Sequence, residues 1–267
     1  NPSNITLRKL RKKDPEKINK KLVQINVSAQ IKFNRNKSQT ANVAAWVEGT
    51  KSNEWVIVGA HHDHLGYGGK GSGSRTPNVR AIHNGADDNA SGVAMVMMLA
   101  EYYKDNPPET NMAFVLFGAE EMGLIGSKYF VNHLPFSKSR IKAMVNYDMV
   151  GRMKDSSLSI SGVNTAGEYK PILKTWDQKP LNLALGEGGF GGSDHASFYS
   201  EQIPVLFFNS GLHDDYHTPA DDVDKINFKG MKLSADLSVQ LLDSLTNPDI
   251  ELTYQESKKQ KTGRHGS

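Results

Sequence analysis

Apolar residues fall in two spacings along the chain. Trp55–Ala60, Met112–Gly118 and Ile141–Tyr147 are short, nearly unbroken apolar runs, the signature of a strand buried on both faces. Leu158–Gly162 and Pro204–Asn209 add two further short strands. Leu22–Phe33 places Val23, Ile25 and Val27 in strict alternation with polar residues, the period of a half-buried strand. Asn42–Glu48 is another strand, and the turn Gly-Thr-Lys-Ser-Asn-Glu leading to Trp55 predicts that the two form an antiparallel hairpin at one sheet edge.

The remaining segments carry helical spacing. Val93, Val96, Met97 and Ala100 line one face of a helix that begins near Ala90 and ends at Asn106-Pro107-Pro108. Gly126–His133 and Gly167–Asp177 are shorter helices, and Ser193–Glu201 is a third, with Ser193 as its N-cap. Phe228–Leu245 closes the pattern with Met231, Ala235, Leu237, Leu241 and Leu242 apolar. Strands that alternate with helices predict an α/β fold with a mixed, mostly parallel sheet.

Composition adds bounds. A chain of 267 residues suits one domain, taken as 1–254, with a basic lead-in over 1–21 and a disordered tail over 255–267. Lys plus Arg number 32 against 29 for Asp plus Glu, a net charge of +3 that gives no basic surface for nucleic acid. The basic residues gather at the ends, as solvated tails do. There is no cysteine, which excludes disulfides and thiolate ligands, and no apolar stretch of membrane-spanning length. The chain starts at Asn1 with no signal peptide in view, so it reads as a mature or trimmed form.

Five short motifs carry the chemistry: His61 in GAHHDHLG, Asp88 in NGADDNASG, Glu121 in FGAEEMG, Asp148 in VNYDMVG and His217 in YHTPADD. Three of them directly follow the central apolar runs. In an open α/β sheet, ligands bind beyond the carboxyl ends of the strands, so these motifs deliver oxygen and nitrogen donors to one edge, as a metal site requires. Asp63, two residues after His61, is placed to hold the far ring nitrogen with its carboxylate. His62 falls on the opposite face of the pleat, and His64 is left outside the donor set. Of the pair Asp87-Asp88, one can cap the following helix, while a second acid beside it is costly unless a cation compensates. The adjacent Glu120 and Glu121 make sense as one proton carrier and one ligand. Two GxGxxG matches, at Gly66 and at Gly186, occur in a chain with 24 glycines. The first opens no helix and the second opens only a short one, so a dinucleotide site is not supported. Neither a GxSxG elbow nor an HExxH helix is present.

In this order, from about Asn42 to Leu245, the motifs resemble the co-catalytic dizinc aminopeptidases secreted by bacteria. The resemblance implies a three-layer sandwich of the zinc-exopeptidase type and two Zn2+ per chain. Asp88 would bridge the ions, His61 and Asp148 would complete one, and Glu121 and His217 the other. Glu120 would be general base and acid toward a zinc-bridging water, Asp63 would orient His61, and Tyr216 would face the scissile carbonyl. A cis peptide would follow Asp88. The substrates implied are peptides with a free N-terminus, and the location secreted or periplasmic. A carboxypeptidase or amidohydrolase on the same fold stays open, with Arg75, Arg80 and Arg152 as candidates for a substrate carboxylate. A transferase like the glutaminyl cyclases and a non-catalytic binding module are further alternatives, both opposed by the complete ligand set.

Overall fold

A computed structural model describes residues 38–175 and 180–257, together with Gln30. The chain divides between Gln39 and Thr40 into two units, and every element below belongs to the second. The strand expected over Leu22–Phe33 and the lead-in over 1–21 lie outside the described residues, as do Trp176, Asp177 and 258–267.

Seven strands form one mixed sheet. They are β1 (Val43–Val47), β2 (Ser52–His61), β3 (Thr110–Phe117), β4 (Ile141–Tyr147), β5 (Ser157–Ser161), β6 (Asn182–Gly186) and β7 (Val205–Asn209). Their order across the sheet is β1-β3-β2-β4-β7-β5-β6. The central four, β3, β2, β4 and β7, run parallel. β1 and β5 are antiparallel to their neighbours β3 and β7. β6 was not read as a strand; its residues are mostly exposed, so it lacks the buried apolar run that marks the others.

Alternation along the strands separates two cores. Val56, Val58 and Ala60 of β2 face α1 (Gly92–Asp105) and α5 (Phe228–Thr246), with Met95, Leu99, Leu237 and Leu241. Ile57, with Ala113, Val115 and Met144, faces Phe130 of α2 (Ile125–Asn132) and Phe198 of α4 (His195–Tyr199). A further short helix, α3, spans Tyr169–Lys174. The result is the three-layer sandwich with a mostly parallel middle.

Four expectations are corrected. β1 lies at an antiparallel edge as expected, but its partner is β3, not β2. The turn after β1 docks on the start of β3, where the Thr50, Lys51 and Ser52 amides donate to the carbonyls of Pro108 and Glu109. Gly49 admits this approach, since a Cβ there would sit 2.5 Å from the Thr110 backbone. The α1 face is rotated from the one expected. Met95, Val96, Leu99 and Tyr103 are buried, whereas Met97 is 61% exposed. In a helix apolar nearly all round, period fixes spacing but not phase. Ser193 is not a side-chain cap; its Oγ accepts from Asn146 Nδ2 at 2.8 Å, and α4 is only five residues long. The tail is ordered further than expected, because Ser257 is buried and bonds through its amide and Oγ to the Tyr199 hydroxyl.

Candidate metal centre

The carboxyl ends of the four parallel strands meet at one edge. β2 ends on His61, β4 is followed directly by Asp148, β3 by the loop bearing Glu120 and Glu121, and β7 by the loop bearing His217. Asp88 comes from the turn Ala86–Ser91 that opens α1, and the Asp88–Asn89 peptide is cis. These residues, with Ser193, Phe207, Leu212 and Tyr216 among others, line a cavity of about 330 Å3.

His61 and His217 are wired alike. His61 Nδ1 lies 3.0 Å from the carbonyl of Asp63, and His217 Nδ1 lies 3.0 Å from the carbonyl of Gly73. A carbonyl only accepts, so each Nδ1 carries the proton and donates. Each Nε2 then faces carboxylates. His61 Nε2 is 3.2 Å from Asp88 Oδ1 and 3.5 Å from Asp148 Oδ1. His217 Nε2 is 3.1 Å from Asp88 Oδ2 and 3.3 Å from Glu121 Oε2. A neutral ring in this tautomer turns a bare lone pair on two anionic oxygens, which only a proton or a cation between them relieves. Asp88 gives one oxygen to each imidazole. The donor set of nitrogen and oxygen atoms therefore fits divalent metal, and zinc in particular.

Titration in the absence of a cation points the same way. Burial alone would depress the pKa of His61, but hydrogen bonds it can donate to Asp148 and Asp88 raise it well above its ordinary value. Burial likewise opposes charge on His217, and Asp88 and Glu121 push it up to about 10. Burial would raise Asp88 and Glu121, yet the imidazoles hold both below their usual range. Glu120 differs from its neighbour: burial raises it to about 8, with Asp148, Asp194 and Glu121 adding to the rise and His61 opposing it.

The supporting contacts correct two expectations. Asp63 does hold the His61 ring, but by its main-chain carbonyl; its carboxylate is 3.9 Å from Nδ1. The carboxylate instead accepts the amides of Glu120 at 2.9 Å and Glu121 at 3.3 Å, fixing the glutamate pair. Asp87 does not cap the helix, whose N-cap position makes no side-chain cap bond. Its Oδ1 accepts from the Gly151 amide at 2.6 Å and Ser91 Oγ at 3.0 Å, and its Oδ2 lies 3.2 Å from His213 Nε2. His62 is exposed and turned to the carbonyl of Ala41, on the far face from His61. Tyr216 stacks on His217, with ring centroids 3.8 Å apart.

Two functional neighbours escaped the sequence reading. Asp221 is fully buried and accepts the amides of Asp87 and Asp88. His64 lies 2.9 Å from Glu121 through Nδ1, and with Asp88 and Glu121 forms a second group of close donor atoms. The only signal for His64 was the density of histidines in HHDH; for Asp221 there was none beyond the acid run.

The description "Peptidase family M28" matches residues 42–242. The chain belongs to peptidase family M28. Among its relatives, aminopeptidase YwaD of Bacillus subtilis (strain 168) is 31% identical over 170 residues, which are 57% of this chain and 36% of that protein. A probable leucine aminopeptidase of Trichophyton verrucosum is 28% identical over 232 residues, 81% of this chain and 59% of that protein. The solved structure of BSAP, a zinc aminopeptidase from Bacillus subtilis, matches with a TM-score of 0.63 at 26% identity, covering 76% of this chain and 49% of that one. The aminopeptidase from Aneurinibacillus sp. strain AM-1 matches at 0.61 and 28%, covering 81% and 50%. The chain thus spans about half the length of these two solved proteins.

Proposed function

We propose that this M28 chain is a dizinc aminopeptidase that removes the N-terminal residue of peptides. Asp88 would bridge the two ions, His61 and Asp148 would complete one site, and Glu121 and His217 the other. Bound there, such ions polarise a carbonyl and make water acidic enough to attack it near neutral pH.

The residues of the chain supply the rest. Glu120, buried and raised to about 8, lines the cavity. It is suited to take the proton of the attacking water and return it to the leaving amine. The Tyr216 hydroxyl is suited to donate to the oxyanion as it forms. Asp63 keeps Glu120 in place through its amide.

The observation that carries the aminopeptidase reading is the charge of the cavity wall. Among the described residues it is lined by Asp88, Glu120, Glu121 and Asp148 and by no Lys or Arg. With Asp88, Glu121 and Asp148 given to the ions, Glu120 is the acid left to meet an α-ammonium, and among the described residues the wall brings no guanidinium or ammonium group to an α-carboxylate. Arg152, one candidate for carboxylate binding, is committed to Asp215 at 3.0 Å, and Arg80 sits over the Tyr67 ring. Met149, Phe207 and Leu212 give the wall its apolar part, which suits an apolar N-terminal side chain.

Peptides with free and acetylated N-termini test this. Free peptides should be cut, acetylated ones should not, and a chelator should abolish cleavage until zinc is returned. Equal rates on both peptides would favour the amidohydrolase. A secreted or periplasmic location goes with this reading, and fractionation of the producing cells checks it. Among the described residues no helix is long and apolar enough to cross a membrane.

A further inference from the structure

His64 lies against the acid cluster, beside Glu121 and Asp88, although its motif gave it no role. Only 9% of its side chain is exposed. Its Nδ1 is 2.9 Å from Glu121 Oε1 and 3.9 Å from Asp88 Oδ2. A carboxylate only accepts, so Nδ1 carries the proton and donates to Glu121. Nε2 is buried and has no hydrogen-bond partner among the described residues. His64 is thus wired in the reverse sense to His61 and His217: its proton points at the acid cluster and its lone pair away from it. The two oxygens of Glu121 are divided by this contact. Oε1 is taken by His64, and Oε2 remains 3.3 Å from His217 Nε2. The chain makes room for the ring at Gly85, where a Cβ would lie 2.8 Å from His64 Cδ2 and where φ is +62°.

We propose that His64 is a positioning residue that holds Glu121 through Oε1 and presents only Oε2 to the ion held with Asp88 and His217. The inference rests on the two-ion reading above. His64, Asp88 and Glu121 also bring donor atoms within 4.8 Å of one another, so His64 as a direct ligand is the rival. The wiring decides against it. A histidine ligand anchors one nitrogen on an outer acceptor and turns the other on the metal; His217 does this, and His64 has no outer acceptor.

Zinc binding to the whole chain tests the assignment without reference to turnover. Stoichiometry and dissociation constants would be measured by calorimetric titration for the wild type, His64→Ala and His64→Asn, with zinc absorption spectroscopy to count imidazoles. Asn places its amide N–H near the position of Nδ1–H and is a poor zinc ligand. His64→Ala should keep one ion and weaken the other by roughly 10–100-fold, the usual effect of losing an outer partner. His64→Asn should recover most of that loss, with the imidazole count unchanged in all three. Full second-site affinity in His64→Ala would overturn the assignment. So would a His64→Asn no better than Ala, and an imidazole count that falls with it would establish the direct ligand. A wild type that takes up one ion would overturn the two-ion reading itself, and is seen before any variant is compared.

Discussion

Asp221 Oδ2 accepts the main-chain N–H of Asp88 at 3.0 Å, so one buried acid fixes the backbone of the other. The same carboxylate takes the Asp87 amide, and the Arg152 guanidinium lies 3.9 Å from its Oδ1. The loop that carries His217 thereby also anchors the turn that carries Asp88. Asp221→Ala would leave two buried amides without an acceptor, each costing about 1–3 kcal/mol. Lower stability in urea and a weaker hold on metal are expected together. An unchanged midpoint with full metal content would remove Asp221 from the support of the centre.

Glu120 and Glu121 are neighbours of identical chemistry with opposite environments. Glu121→Gln should lose or weaken one ion and much of the stability that comes with it. Glu120→Gln should keep both ions and bind substrate nearly normally, while turnover falls by about 10²–10⁴. Elemental analysis beside a rate measurement separates the two. Metal loss in Glu120→Gln with full loading of Glu121→Gln would reverse the roles.

Tyr216 lines the cavity and stacks on His217, so its ring and its hydroxyl can be tested apart. Tyr216→Phe keeps the stacking and removes the donor. Turnover should fall by about 10²–10³ with a smaller change in KM. An unaltered kcat would leave Tyr216 as a packing residue only.

Asp194 sets a pH dependence of folding. It is fully buried, and burial raises its pKa to about 7, with the Ser127 hydroxyl opposing the rise. An acid raised in the folded state is protonated more readily folded than unfolded. Its contribution is therefore fully favourable below the unfolded pKa of about 3.9 and is lost as pH rises through the folded value. In the metal-free chain, Asp194→Asn should melt higher than wild type at pH 8, and the gap should close toward pH 4. A gap that is constant with pH would mean that Asp194 is not neutral in the fold.

What the sequence alone determined is the kind of fold and the edge at which the chemistry gathers. Strands buried on both faces must be continuously apolar, so Trp55–Ala60, Met112–Gly118 and Ile141–Tyr147 declared themselves, and the polar residues that follow had to emerge at the carboxyl edge. The tertiary structure decided what depends on distant partners. β3 enters between β1 and β2 because the short turn that joins them does not oblige them to pair. α1 rotates until Met95 and Leu99, not Met97, meet the sheet. Neighbouring side chains in one motif diverge for the same reason: Asp88 turns inward while Asp87 is satisfied by Gly151 and Ser91, and Asp63 uses its carbonyl for His61 and its carboxylate for the glutamate amides. His64 was unreadable because its role depends on which oxygen of Glu121, 57 residues away, it reaches. Local pattern fixes which residues can arrive at the site; only packing fixes which way each one points.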